Sequence, residues 1–184
     1  MLNNTSWTLI AAAVLGAPSV LTLGLSAEEL KMKGERMELT VEVPRLKVAE
    51  YHRPYVAIWI QNEKQDAVVN LAVWYQVEAK GKEVGNKWLP DLRQWWRRTG
   101  RGLEFPIDAV SGPTRPAGEH TLTFGPERFA KLLPGKHALM VEAVREVGGR
   151  ELLELPFDWP VVQTAKHQAT GKKELGTVTL LLKP

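Results

Sequence analysis

Apolar residues stand at Met37, Leu39, Val41 and Val43, with Glu38, Thr40 and Glu42 between them. That strict alternation is the period of a strand buried on one face. Residues 55–60 are apolar on both faces, as a central strand would be. A polar turn at 63–66 separates them from another apolar run at 68–75. Alternation returns over 120–124, its start set by Gly118. Residues 138–147 and 151–157 flank Gly148 and Gly149, a pair that predicts a hairpin because both turn positions can take positive φ. Residues 175–182, rich in Thr, Val and Leu, close the series. About seven short strands with Pro and Gly turns between them predict a single immunoglobulin-like antiparallel β-sandwich. One segment breaks the pattern. Pro90 and Gly100 bracket residues in which Leu92, Trp95, Trp96 and Thr99 follow helical spacing, which predicts one short amphipathic helix over 90–99.

The first part of the chain has no such pattern. Residues 7–25 carry no charge, are broken only by Gly16 and Pro18, and are followed by Glu28 and Glu29. This resembles a secretory signal peptide covering 1–27, with an uncleaved membrane anchor as the alternative. The remaining 28–184 has the length of one domain. Export places that domain in the periplasm. With no cysteine in the chain, thiolate metal sites, iron–sulfur clusters, disulfides and thioether haem attachment are excluded. Ser111 is the sole serine after residue 27, so a Ser-His-Asp hydrolase would have to be built on it. A formal charge of +3 is too small to imply nucleic acid, which an exported protein seldom meets.

Two segments carry candidate chemistry. Lys87, Trp88, Arg93, Trp95, Trp96, Arg97, Arg98 and Arg101 form a basic, aromatic cluster with Asp91 the one acid among them. On one reading the tryptophans plug the helix into the sandwich and the arginines solvate its outer face. On the other, Trp95, Trp96, Arg97 and Arg98 offer stacking and charge to a flavin or a protein partner. The second segment, Asp108–Thr114, sits in a Pro/Gly-rich stretch from about 100 to 118 that reads as an exposed loop. There Asp108 and Ser111 suit local turn bonding. His52, His120, His137 and His167 are scattered without metal-ligand spacing and read as structural or surface residues. No paired carboxylates or phosphate-cradling glycine loop can be identified.

Asp108, Ser111, Gly112 and Thr114 match in register the acceptor motif of covalently flavinylated extracytoplasmic proteins, which the heptad resembles. In those proteins the final Thr receives FMN as a phosphoester from a flavin transferase. Thr114 is the acceptor by position, and Pro113 stands where that motif has Ala. A broader likeness is carried by 53–60, Trp88–Arg97, Asp108–Gly112, Arg115–Gly118, Glu142–Glu151 and the closing 174–179. These segments are similar to a predicted periplasmic family, domain of unknown function 2271. The resemblance implies an exported β-sandwich encoded beside PepSY-type membrane proteins and flavin transferases. It therefore implies a non-catalytic accessory role in flavin-linked electron transfer or metal reduction. The alternative is an adaptor module that docks a membrane protein and carries no cofactor. The leader reading predicts that protein recovered from the periplasm begins at Glu28; a start at Met1 on membrane-bound protein would make 7–25 an anchor.

Overall fold

The computed structural model describes residues 35–77 and 85–184; the leader at 1–27 lies outside them. The alternating segment forms β1 (Arg36–Val43), and the chain continues through β2 (Tyr55–Asn62), β3 (Ala67–Tyr75) and a short helix α1 (Arg93–Arg98). It then runs through β4 (Ser111–Pro113), β5 (Gly118–Phe124), β6 (Gly135–Val144), β7 (Arg150–Trp159), β8 (Ala165–Thr170) and β9 (Thr177–Lys183). One sheet has the order β5-β1-β9-β8 and the other β4-β3-β2-β6-β7. All pairs are antiparallel except β3 with β4, which run parallel. The all-β sandwich with one short helix is the expected fold class. The β3-β2-β6-β7 set joins two hairpins through their first strands, as C′-C-F-G do in immunoglobulin-like domains. The β1–β5 pair supplies B and E, and the last strand, β9, fills the place of strand A.

The core between the sheets follows from the alternation. Met37, Leu39, Val41 and Val43 of β1 are buried, as are Val178, Leu180 and Leu182 of β9. They pack with Val56, Ile58 and Ile60 of β2 and Leu139, Val141 and Ala143 of β6. The intervening Ala57, Trp59, Ala138 and Met140 belong to a second core, on the outer face of the five-stranded sheet. Leu89, Leu92, Trp95 and Val110 cover that face. Strand β2 is apolar on both sides because both sides are buried.

Several details differ from the sequence pattern. The helix begins at Arg93, and Pro90 falls inside a preceding 3-10 turn, Gly85–Asp91. Strand β8 escaped notice because its residues, AKHQAT, alternate between half-buried and exposed with little apolar content. The 100–118 stretch is not a loose loop: Val110 is buried and residues 111–113 pair with 73–75.

The β6–β7 turn is closed by bonds from Gly148 N to Arg145 O (3.0 Å) and from Arg145 N to Gly149 O (3.1 Å). Positive φ there belongs to Val147 (52°), not to Gly148 or Gly149. The glycines serve close approach instead. A Cβ on Gly148 would lie 2.5 Å from the Arg145 guanidinium carbon, and one on Gly149 3.0 Å from Glu174 Oε1. Arg145 and Glu174 form a buried ion pair, with Nε to Oε2 at 2.8 Å.

Acidic side chains tie that turn to the segment before β9. Glu174 also accepts from Gly149 N at 2.7 Å. Glu151 accepts from the main-chain amides of Lys172, Lys173, Glu174 and Leu175 at 2.6–3.1 Å. Desolvation pushes the Glu151 pKa upward, but the four amides outweigh it and hold the carboxyl below its usual range. A lowered folded pKa means that this contribution is complete above the ordinary carboxylate range, near pH 4.3, and is lost as pH falls through the lowered value. Denaturant unfolding between about pH 6 and pH 3 should therefore show a steeper acid loss of stability in wild type than in Glu151→Gln.

Candidate functional site

Residues 85–113 form a layer over the outer face of the five-stranded sheet, and its anchoring starts at α1. The residue before this helix, Leu92, has no side chain able to cap it, and no side-chain cap is present. Glu142 of β6 does the work from below. Its Oε1 accepts from Gln94 N at 3.0 Å and its Oε2 from Trp95 N at 2.7 Å. The side chain has no solvent exposure, and Arg150 Nε pairs with Oε1 at 2.5 Å. Free main-chain amides at a helix start and a guanidinium thus satisfy a carboxylate that burial alone would make costly.

The tryptophans of α1 then part company. Trp95 is fully buried, donating from its indole to Asn70 Oδ1 at 2.9 Å. It has no surface left for a flavin or a partner, which corrects the contact reading for this residue. Trp96 is half-buried and stacks on Phe105, with ring centroids 6.4 Å apart and planes at 18°. With Pro90, Arg93, Arg97 and Arg150 it lines a shallow groove of about 450 Å³. Arg97 also bonds Gln94 Oε1 at 2.9 Å. Arg98 turns the other way, to the Gln65 side chain in the β2–β3 turn.

A deeper cavity, about 540 Å³, opens at one end of the sandwich. Its walls come from the loop before β2 (Tyr51, His52, Arg53), from Tyr55 and Gln76, and from Trp88 and Asp91 of the 3-10 turn. The end of β6 and the β6–β7 turn complete them with Val144, Arg145, Glu146 and Val147, and Thr114 lines the same space. This is the end at which the B–C and F–G loops of an immunoglobulin-like sandwich meet. Tyr51, Trp88 and Val147 are exposed apolar side chains, at 39%, 53% and 74%. His52 holds the loop to the turn: its Nε2 lies 2.9 Å from Glu50 and its Nδ1 3.6 Å from Glu146. Burial raises the Tyr55 pKa, partly opposed by a main-chain hydrogen bond at Gln76, with Glu146 and Tyr75 adding to the rise. Tyr55 therefore stays a neutral donor at any physiological pH. Arg145 is buried beside Glu174, yet its Nη1 has no partner among the described residues.

The Asp108–Thr114 heptad reaches this cavity only through its last residue. Ser111 closes the local turn, its Oγ accepting from Ile107 N at 2.9 Å. Asp108 is exposed, and Ala109 takes positive φ (55°). Ser111 and Gly112 lie in β4, and Gly112 pairs with Trp74. Thr114 is half-buried just beyond the strand, its amide donating to Tyr75 O at 3.2 Å. Val110 O accepts from Val73 N and Thr114 N donates to Tyr75 O, so the amide position of exposed Pro113 points away from β3. A missing N–H there removes no ladder bond.

A family model described as "Predicted periplasmic protein (DUF2271)" matches residues 36–177. The chain belongs to this family. The DUF2271 match spans every cavity residue named above. No curated protein and no solved structure matches the chain. Among the described residues no helix is long and apolar enough to cross a membrane.

Of the cavity residues, sequence reasoning had singled out Thr114, Trp88 and Asp91. It read His52 as a structural or surface residue and missed Tyr51 and Gln76, which carry no motif and converge with the others only through folding. Arg53, Tyr55, Val144, Arg145, Glu146 and Val147 sat within the DUF2271 segments without an assigned role. If Glu142 anchors the outer layer, Glu142→Ala should lower the unfolding free energy by about 3 kcal/mol and weaken the near-ultraviolet dichroism of the tryptophans. A loss below about 1 kcal/mol, the scale of a surface pair, would contradict that role.

Proposed function

We propose that this DUF2271 protein is an exported, non-catalytic accessory component of a flavin-linked redox system, carrying FMN as a phosphoester on Thr114. The observation that carries the reading is the position of Thr114. The residue marked by the heptad as acceptor is the one heptad residue that lines the large cavity. The cavity's volume falls in the range of small-ligand and cofactor sites. Tyr51, Tyr55 and Trp88 offer aromatic side chains and Arg53 a positive charge on the cavity walls. These groups suit a planar ring with carbonyl acceptors. The Thr114 hydroxyl makes no hydrogen bond to any described residue. Bound in this way, the flavin would supply one- and two-electron chemistry that a chain without cysteine lacks.

Attachment forms a bond between Thr114 Oγ1 and the FMN phosphorus. The phosphoanhydride of an activated FMN donor breaks, its other phosphate leaves, and the hydroxyl proton passes to solvent. A flavin transferase is the partner this step requires; a PepSY-type membrane protein would be the redox neighbour. Access for the transferase comes through β4, a three-residue strand at the edge of its sheet and the part that separates from it most easily. A second reading, a cofactor-free adaptor, is favoured by the groove of Arg93, Trp96, Arg97 and Arg150, which suits an acidic partner.

Coexpression with a flavin transferase should add the mass of one FMN less one water to wild type and leave Thr114→Val unlabelled. Pro113→Ala, which restores the motif residue, should raise labelling. If Pro113→Ala also stays dark beside a labelled control protein, the carrier reading fails and the adaptor reading replaces it.

A further inference from the structure

We infer that Val147 is a ligand-gripping residue, closing the mouth of the cavity over the ring of its flavin. This inference rests on the flavin reading and assigns a residue to it. Val147 is the third residue of the turn closed by Gly148 N to Arg145 O. Its φ of 52° lies in the left-handed region. Positive φ at the third position of a turn belongs to Gly or Asn, and a β-branched residue there is strained. The side chain does not offset that strain by packing into the protein, since 74% of the residue is exposed. Nor does the turn lack glycines: two follow directly, but both are committed to lying against Arg145 and Glu174. A glycine at 147 would make the turn relaxed, so what valine adds there is an apolar side chain on the cavity wall.

Strain held at a rim, without packing to compensate, points to a contact made only when a ligand is present. The neighbouring groups indicate its class. Trp88 and Tyr51 are the other exposed apolar residues lining this cavity. Two residues before Val147, Arg145 lines the same cavity, and Arg53 and Tyr55 stand on its other walls. Apolar side chains around an opening, with the Arg53 guanidinium and the Tyr55 hydroxyl on the same walls, fit a flat heterocycle bearing carbonyl oxygens.

The test uses unlabelled full-length protein titrated with free FMN and read by tryptophan fluorescence, together with thermal unfolding. Val147→Gly should raise Tm by about 2–4 °C through relief of the left-handed strain. It should also weaken FMN binding about tenfold through loss of the apolar contact. Val147→Leu keeps an apolar side chain and should bind as wild type does. Equal FMN affinity in Val147→Gly and wild type, or a Tm that does not rise, overturns the assignment. Wild type that binds no FMN up to millimolar concentration overturns it as well. Free FMN bound with the expected Val147 dependence, in a protein that a transferase never labels, would overturn covalent carriage and leave the Val147 contact standing.

Discussion

A carboxylate with no access to water holds the outer layer of this protein in place. Glu142 lies on a strand, under a six-residue helix that has no cap of its own. Isolated helices of that length do not persist in water, so α1 exists because the sheet below it supplies acceptors for its first amides. The consequences spread outward. With α1 fixed, Trp95 is driven into the second core, Trp96 meets Phe105, and the 3-10 turn carrying Trp88 and Asp91 is set against the end of the sandwich. One wall of the cavity therefore depends on a charge buried beneath a neighbouring element.

The decapeptide Glu142–Glu151, conspicuous in the sequence, is an interlock. Glu142 reaches up to the helix, Arg145 reaches across to Glu174, Gly148 and Gly149 make room for that pair, and Glu151 gathers the amides before β9. A single hairpin thereby fastens the outer layer on one side and the second sheet on the other. Its rigidity also explains how Val147 is kept in a backbone conformation that a free turn would abandon.

What could be read from the sequence divides along physical lines. Burial on one face imposes a period of two, so β1 and β5 announced themselves, and burial on both faces made β2 legible as a central strand. Strand β4 has three residues and β8 almost no apolar content, leaving no period to detect. The Gly148–Gly149 pair marked a hairpin correctly but for the wrong reason, because local preference for positive φ is overruled by the Arg145–Glu174 pair packed against both glycines. Trp95 and Trp96 are adjacent and chemically identical; only the depth of the helix in the layer separates a core residue from a groove residue. Thr114 was identified by its motif, whereas its cavity could not be, since residues between 51 and 147 meet there through tertiary structure alone.

The place of β9 bears on when the domain can close. Strand β1 lies at the start of the described domain, yet one of its two hydrogen-bonded neighbours is the last strand of the chain. A polypeptide made from its amino terminus carries that edge of β1 open until β9 follows. The four-stranded sheet, in which β9 lies between β1 and β8, cannot close before β9 is present. β1 thus gains its second partner only once β9 has been made, a folding delay built into strand order rather than into any single residue.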